Sequence, residues 1–203
     1  MYMQITMPAS ATDLIEAVYI HIPFCVKKCN YCDFLSFSHG TNTSEVMKQY
    51  IQALIVEMQL AAERYTVKAK TIFIGGGTPS VLSEDLLEKL LSAVQQYFVT
   101  ECLQEYTVEL NPGTITSRKL QVMKQYGVSR LSIGVQSDNE AQLCLLGRIH
   151  TFEQAKEAVS MARHAGFSNI NLDFMYGIPG QTVEAWTAAL HNAIALHPEH
   201  LSL

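Results

Sequence analysis

Two hydrophobic periods alternate along the chain. Short runs of β-branched and apolar residues at positions 18–21, 71–74, 106–110, 130–135 and 169–175 read as strands. Between them, residues 44–64, 83–98, 116–126, 151–165 and 182–196 carry apolar positions at spacings of three and four and read as helices. The helix starts are signalled chemically. Thr151 and Gln154 stand as a capping box, and Ser83 precedes Glu84 and Asp85, which suit the positive end of a helix. Gly127 and Gly166 fall where two helices should stop. Strand–helix alternation predicts βαβ units, hence an α/β fold around a parallel sheet. No motif recurs at a fixed period, so the pattern predicts one domain and not a solenoid. A sixth strand opens at residues 199–203, where the sequence stops. The expectation is an incomplete fold, with the fifth strand left as an exposed edge.

Composition narrows the class. A chain of 203 residues with 48% hydrophobic content can bury one sizeable core. Fourteen basic residues against 19 acidic ones give a net charge of −5, and Lys27-Lys28 is the densest basic pair. That distribution argues against a nucleic-acid footprint, which needs a concentrated positive face. No apolar run reaches the roughly 18–20 residues of a membrane span. The N-terminus lacks the basic start and apolar core of a secretory signal. Five cysteines are an odd number, and three of them sit together, which fits a reducing cytoplasm better than a disulfide framework.

Those three carry the first chemical signal. Cys25-Val-Lys-Lys-Cys29-Asn-Tyr-Cys32 directly follows the first strand. A cuboidal 4Fe–4S cluster takes four ligands, so three thiolates leave one iron open to an outside molecule. A zinc site built with His21 or His39 is the alternative, but zinc ligands come more often as short-spaced pairs. His21 itself reads as a packed or hydrogen-bonded strand residue. Cys102 and Cys144 lie apart beside leucines and read as buried core residues.

Every later strand also ends in unusual chemistry. Gly75-Gly76-Gly77-Thr78-Pro79 follows the second strand, where absent side chains let backbone N–H groups approach a ligand. No Gly-Lys-Ser/Thr follows, so this is not a nucleotide P-loop. Glu109 and Asn111 end the third strand, Gln136 and Ser137 the fourth, and Asp173 with Tyr176-Gly-Ile-Pro-Gly180 the fifth. In parallel α/β sheets such groups converge on one rim. The plainer readings are a tight turn for the glycines, a surface acid for Glu109 and solvated loop residues for Arg148 and His150. Asp173, flanked by Leu172 and Phe174, resists such a reading, because an unpaired buried carboxylate is costly. Trp186 reads as core.

The cysteine motif and the Gly-Gly-Gly-Thr-Pro loop resemble the radical S-adenosylmethionine superfamily. Tyr19-Ile-His-Ile-Pro-Phe-Cys25, Glu109-Leu-Asn-Pro112, Gly134-Val-Gln-Ser137, Gly147-Arg-Ile-His150 and Asp173-Phe-Met-Tyr-Gly-Ile-Pro-Gly-Gln-Thr182 narrow the resemblance to the oxygen-independent coproporphyrinogen III oxidase family, which includes the HemW heme chaperones. The resemblance covers residue 18 to the end, leaving residues 1–17 as an N-terminal extension and 18–203 as a radical SAM core. It implies a partial (β/α)6 barrel, with the sixth strand only begun and a C-terminal domain absent. It also implies a 4Fe–4S cluster on Cys25, Cys29 and Cys32, with S-adenosylmethionine cleaved reductively to methionine and a 5′-deoxyadenosyl radical. The positions matching its S-adenosylmethionine contacts are Tyr19, Tyr31, Gly76, Gly77, Thr78, Glu109, Gln136, Arg148 and Asp173.

One departure separates the branches of that family. The oxidases carry a further cysteine two residues beyond the third ligand, whereas this chain reads Cys32-Asp33-Phe34, as the heme chaperones do. The resemblance therefore implies heme as cargo, a heme-accepting protein and an electron donor as partners, and a cytoplasmic location. Coproporphyrinogen oxidation is the alternative, and an inactive fragment of either a third reading. The His-Asn-x-x-Tyr-Trp segment of the chaperones does not occur here, which implies a cluster-binding chain lacking much of its heme site.

Overall fold

The computed structural model describes residues 13–38 and 43–203; the first twelve residues of the extension, and His39, lie outside them. Six strands form one sheet: β1 (Leu14–Ile22), β2 (Thr66–Gly76), β3 (Glu105–Leu110), β4 (Arg130–Gln136), β5 (Ile170–Phe174) and β6 (His200–Ser202). They lie side by side in chain order and every pairing is parallel. Each crossover therefore steps to the next neighbour, as in a barrel winding, with β1 and β6 at the two ends. The helices are α1 (Thr43–Arg64), α2 (Glu84–Tyr97), α3 (Ser117–Gln125), α4 (Glu140–Leu145), α5 (Phe152–His164) and α6 (Val183–Ile194).

The expected helix signals operate. Thr151 and Gln154 form the capping box of α5, and the Ser83 side chain accepts from Leu86 N–H at the start of α2. Gly127 and Gly166 take φ of +83° and +85° just past α3 and α5, a backbone that side chains disfavour. Trp186 packs against the core from α6.

Strand alternation gives the sheet two unlike faces. Ile72 and Ile74, Val108 and Leu110, Leu131 and Ile133, and Ile170 and Leu172 join one buried cluster with Leu87, Leu90, Leu120, Val122 and Val159 of the helices. The opposite face is polar. Glu109 is in register with Ser132, Ser132 with Asn171, and Asn171 with His200, a polar row across four strands. The apolar face holds the fold together, and the polar one is left for chemistry.

The structure departs from the sequence reading in four places. β1 and β2 both begin upstream of their expected starts, at Leu14 and Thr66. The fifth strand is not an unpaired edge: β6 covers it over Asn171–Asp173, through main-chain pairing and a Glu199 side chain that caps Ile170 N–H at 2.8 Å. α4 lies where no helix was expected; its six residues are too few to display a period. Cys102 and Cys144 are exposed, not core. Cys102 sits in the turn closed by Leu103 N–H to Thr100 O, and α4 buries only Leu143.

Candidate functional site

The carboxyl ends of the strands enclose a cavity of about 410 Å³, in the size range of small-molecule sites. Cys25, Cys29, Cys32, Tyr31, Gly76, Gly77, Thr78, Glu109, Gln136, Arg148 and Asp173 all line it. Tyr19, the remaining expected contact, does not. Its ring stacks on Phe73 and its hydroxyl hydrogen-bonds His21 Nδ1 at 2.9 Å, on the β1 side of the cavity. Both His21 nitrogens are engaged, because Nε2 bonds Leu35 O at 2.8 Å. His21 is thus the hydrogen-bonded strand residue expected, and it ties β1 to the far end of the cysteine loop.

The cysteine loop is anchored at several points. Asn30 donates from its main chain to Leu146 O and from its side chain to Leu145 O, both at 2.9 Å, docking the loop on the end of α4. The short pairing of Phe24–Cys25 with Phe37–Ser38 fixes its two stems. At the base, Gly77 N–H donates to Ile22 O and Thr78 N–H to Phe24 O. The three thiols are free and half-buried.

Donors point at two of the sulfurs: Thr78 Oγ1 lies 3.7 Å from Cys25 Sγ and Arg148 Nη1 lies 3.5 Å from Cys29 Sγ. Arg148 Nη2 donates to Gly134 O, while its Nε is buried with no partner. Among the described residues, no three His, Cys, Asp or Glu side chains gather closely enough to hold one metal ion. A cuboidal cluster does not require that, since each thiolate binds a different iron. Three free thiols around one cavity, donors aimed at sulfur, and an orphaned guanidinium N–H fit such a cluster with an anionic ligand beside it.

Two carboxyls face each other across the cavity. Glu109 accepts from Gly76 N–H at 3.0 Å, and Asp173 accepts from Asn171 Nδ2 at 2.7 Å and from Ser132 Oγ. Burial raises the pKa of both; Gly76 N–H opposes this at Glu109, where Asp173 adds to it, and the Asn171, Ser132 and Ser202 side chains oppose it at Asp173. Tyr31, partly buried against the Cys29 and Cys32 thiols with Arg148 opposing, is pushed up to about 12 and stays a phenol.

Gln136 reaches the cavity through a backbone at φ +72°, beside a register shift between Gly134 and Gln136. Left-handed backbone at a non-glycine residue costs on the order of 1 kcal/mol. Two bonds hold it: Met175 N–H donates to Gln136 O at 2.9 Å, and His150 Nε2 donates to Val135 O at 3.1 Å. Neither Arg148 nor His150 is a solvated loop residue; His150 is only 3% exposed. Its role under β4 was legible only as part of the Gly147–His150 motif.

Burial, reinforced by Arg148 and opposed by the Val135 carbonyl, lowers the His150 pKa to about 4. The unfolded chain then binds more protons than the native one between that value and the ordinary 6.5. Stability should fall as pH drops through this window, by up to about 3 kcal/mol. Melting temperatures of wild type and His150→Gln between pH 4 and 7 test this: the acid loss should shrink in the variant.

With this geometry in view, the likeness to known proteins has a physical basis. A model of the radical SAM superfamily matches residues 19–193. The chain is 40% identical over 191 residues to the heme chaperone HemW of Haemophilus influenzae, covering 92% of this chain and 49% of that protein. It is 42% identical over 187 residues to the heme chaperone HemW of Escherichia coli, covering 92% and 49%. The solved coproporphyrinogen III oxidase HemN of Escherichia coli superposes with a TM-score of 0.83 at 28% identity, over 94% of this chain and 44% of that one. The chain spans about half the length of the curated relatives it matches. No helix among the described residues is long and apolar enough to cross a membrane. With its family match running from the end of β1 into α6 and its cysteines around one cavity, the chain belongs to the radical SAM superfamily, which implies a 4Fe–4S cluster and S-adenosylmethionine.

Proposed function

We propose that this chain is the cluster- and S-adenosylmethionine-binding portion of a HemW-type heme chaperone, acting in the cytoplasm. The observation that carries the choice of branch is Phe34. It lines the cavity two residues past Cys32, 68% exposed, where the oxidases of the family carry a cysteine. An apolar ring there cannot supply the thiol an oxidase has at that place, and it offers a flat surface to an apolar macrocycle. The greater identity to HemW than to HemN from the same organism supports this branch.

In this reading Cys25, Cys29 and Cys32 hold the cluster. A cluster held there would supply one electron for the reduction of a bound sulfonium ligand. Arg148 pairs the carboxylate of that ligand, with Nε as a free donor. Gly76, Gly77 and Thr78 offer backbone along it, and Tyr31 covers its adenine. Gln136 hydrogen-bonds it from the β4 end, while Glu109 and Asp173 offset its positive charge. Tyr19 acts from the edge of the cavity through His21. Heme is the cargo, passed to an acceptor protein, and a separate reductase supplies the electron. Coproporphyrinogen oxidation is the second reading.

Anaerobic reconstitution of this chain, and of a form extended beyond Leu203, tests the assignment. Expected are uptake of iron and sulfide, saturable binding of S-adenosylmethionine, and heme binding by the extended form. Loss of iron uptake on replacing any of the three cysteines with alanine identifies the ligands. Porphyrinogen decarboxylation by the extended form overturns the chaperone reading. Retention of zinc without iron uptake overturns the cluster.

A further inference from the structure

The polar row on the open sheet face has a hub that is not among the residues assigned to the ligand. Asn171 is 1% exposed, and its side-chain amide is fully engaged. Nδ2 donates to Asp173 Oδ1 at 2.7 Å and to Ser132 Oγ at 2.9 Å. Oδ1 accepts from Ser202 Oγ at 3.0 Å and from His200 Nδ1 at 2.9 Å. The amide orientation follows from chemistry: only its NH₂ end can face an ionised Asp173. Its oxygen must then face β6, which places the His200 proton on Nδ1. Ser132, accepting from Asn171, is left to donate its own proton to Asp173.

From this geometry we infer that Asn171 is a positioning residue for ligand recognition: it aims the Asp173 carboxylate into the cavity and keeps it ionised, with Ser132 as its second arm and β6 as its support. Among the described residues, no cation contacts Asp173. Arg130, on β4, acts on it only weakly through space, and Glu109, across the cavity from β3, repels its charge. Arg148 lines the same cavity, but its two Nη groups turn to Gly134 O and Cys29 Sγ and none of its nitrogens bonds Asp173 among the described residues. His200, from β6, reaches it only through Asn171. Three neutral donors, on Asn171, Ser132 and Ser202, therefore do the work that an ion pair would do elsewhere, leaving the negative charge free for a cationic ligand. Asn171 is in register with Ser132 on one side and His200 on the other, so the relay is built into the sheet and does not depend on a loop.

This inference rests on the proposed S-adenosylmethionine site, and its test separates the two. The reconstituted chain is titrated with S-adenosylmethionine from pH 5 to 8 for wild type, Asn171→Leu, Ser132→Ala and Asp173→Asn, with iron content and melting temperature measured for each. Wild-type affinity should fall on the acid side as Asp173 and Glu109 protonate, and Asp173→Asn should lose the Asp173 share of that fall. Asn171→Leu and Ser132→Ala should keep wild-type iron content and weaken binding about tenfold at pH 7, the scale of one hydrogen bond to a charged group. Both should move the midpoint of the acid limb upward by about one pH unit. Should Asn171→Leu fail to fold, Ser132→Ala, which leaves the Asn171 bonds to β6 in place, carries the measurement alone. An unchanged midpoint in the folded variants, with affinity lowered equally at every pH, overturns the inference and leaves Asn171 as a tie between strands. A wild-type protein that takes up iron but binds no S-adenosylmethionine overturns the proposed site itself.

Discussion

Replacing Gly77 with alanine is expected to lower stability by about 3 kcal/mol and to abolish cluster assembly. A Cβ at this position would lie 2.7 Å from Phe24 O, 2.9 Å from Phe24 N and 3.0 Å from Ile22 O. All three are main-chain atoms of the segment that delivers Cys25. They cannot rotate away as a side chain can. The same segment receives the Gly77 and Thr78 N–H bonds to Ile22 O and Phe24 O, at 2.8 and 2.7 Å. The methyl would therefore part the end of β2 from the end of β1, breaking two bonds and moving one cluster thiol. Thermal melting should show a fall of about 6–12 °C for a chain of this size. Iron uptake on reconstitution should fall to the level of the Cys25→Ala protein. Gly113→Ala is the control, because its Cβ meets only His150 Cβ, at 3.8 Å. That variant should stay within about 0.5 kcal/mol of wild type. Equal effects at the two glycines would show that close approach is not why Gly77 lacks a side chain.

Gly77 also illustrates what the sequence can and cannot reveal. The Gly-Gly-Gly run after a strand announced a close backbone approach, and the period-two runs announced the strands that position it. Both signals are local, so both were legible. The partner of the approach, the main chain around Phe24, lies over fifty residues away in sequence and had no local mark. Gln136 was read as a site residue, but its φ of +72° was not, because a left-handed glutamine is imposed by the register shift and the His150 bond. Asn171 was passed over for a different reason. Between two apolar neighbours on a strand it shows no motif, and its value lies in four partners from β4, β5 and β6. Exposure of Cys102 and Cys144 was misread because composition weighs residue type, whereas a turn and a one-sided short helix decide burial.

Glu109→Gln should separate stability from function. Burial, with Asp173 adding to it, raises the Glu109 pKa above its ordinary 4.5, against the pull of Gly76 N–H. Between 4.5 and that raised value the native chain binds more protons than the unfolded one. Stability contributed by this group is therefore greatest at low pH and is lost as pH rises through the window. At neutral pH the ionised carboxylate is a net cost to the ligand-free fold. Glutamine retains an oxygen for Gly76 N–H, 3.0 Å from Glu109 Oε2, while removing the charge that faces Asp173. The variant should be more stable at pH 7 by about 1 kcal/mol, a rise of roughly 2–4 °C in Tm. The advantage should shrink towards pH 4. Binding of S-adenosylmethionine should weaken about 10–100-fold, the scale of a lost charge-assisted contact. A variant less stable than wild type at pH 7 would mean that Glu109 is held for the fold and not for a ligand. A gain in stability with a loss of binding would instead mark the charge as one the fold tolerates for recognition, since the same two carboxyls that repel each other in the empty cavity both favour a cation between them.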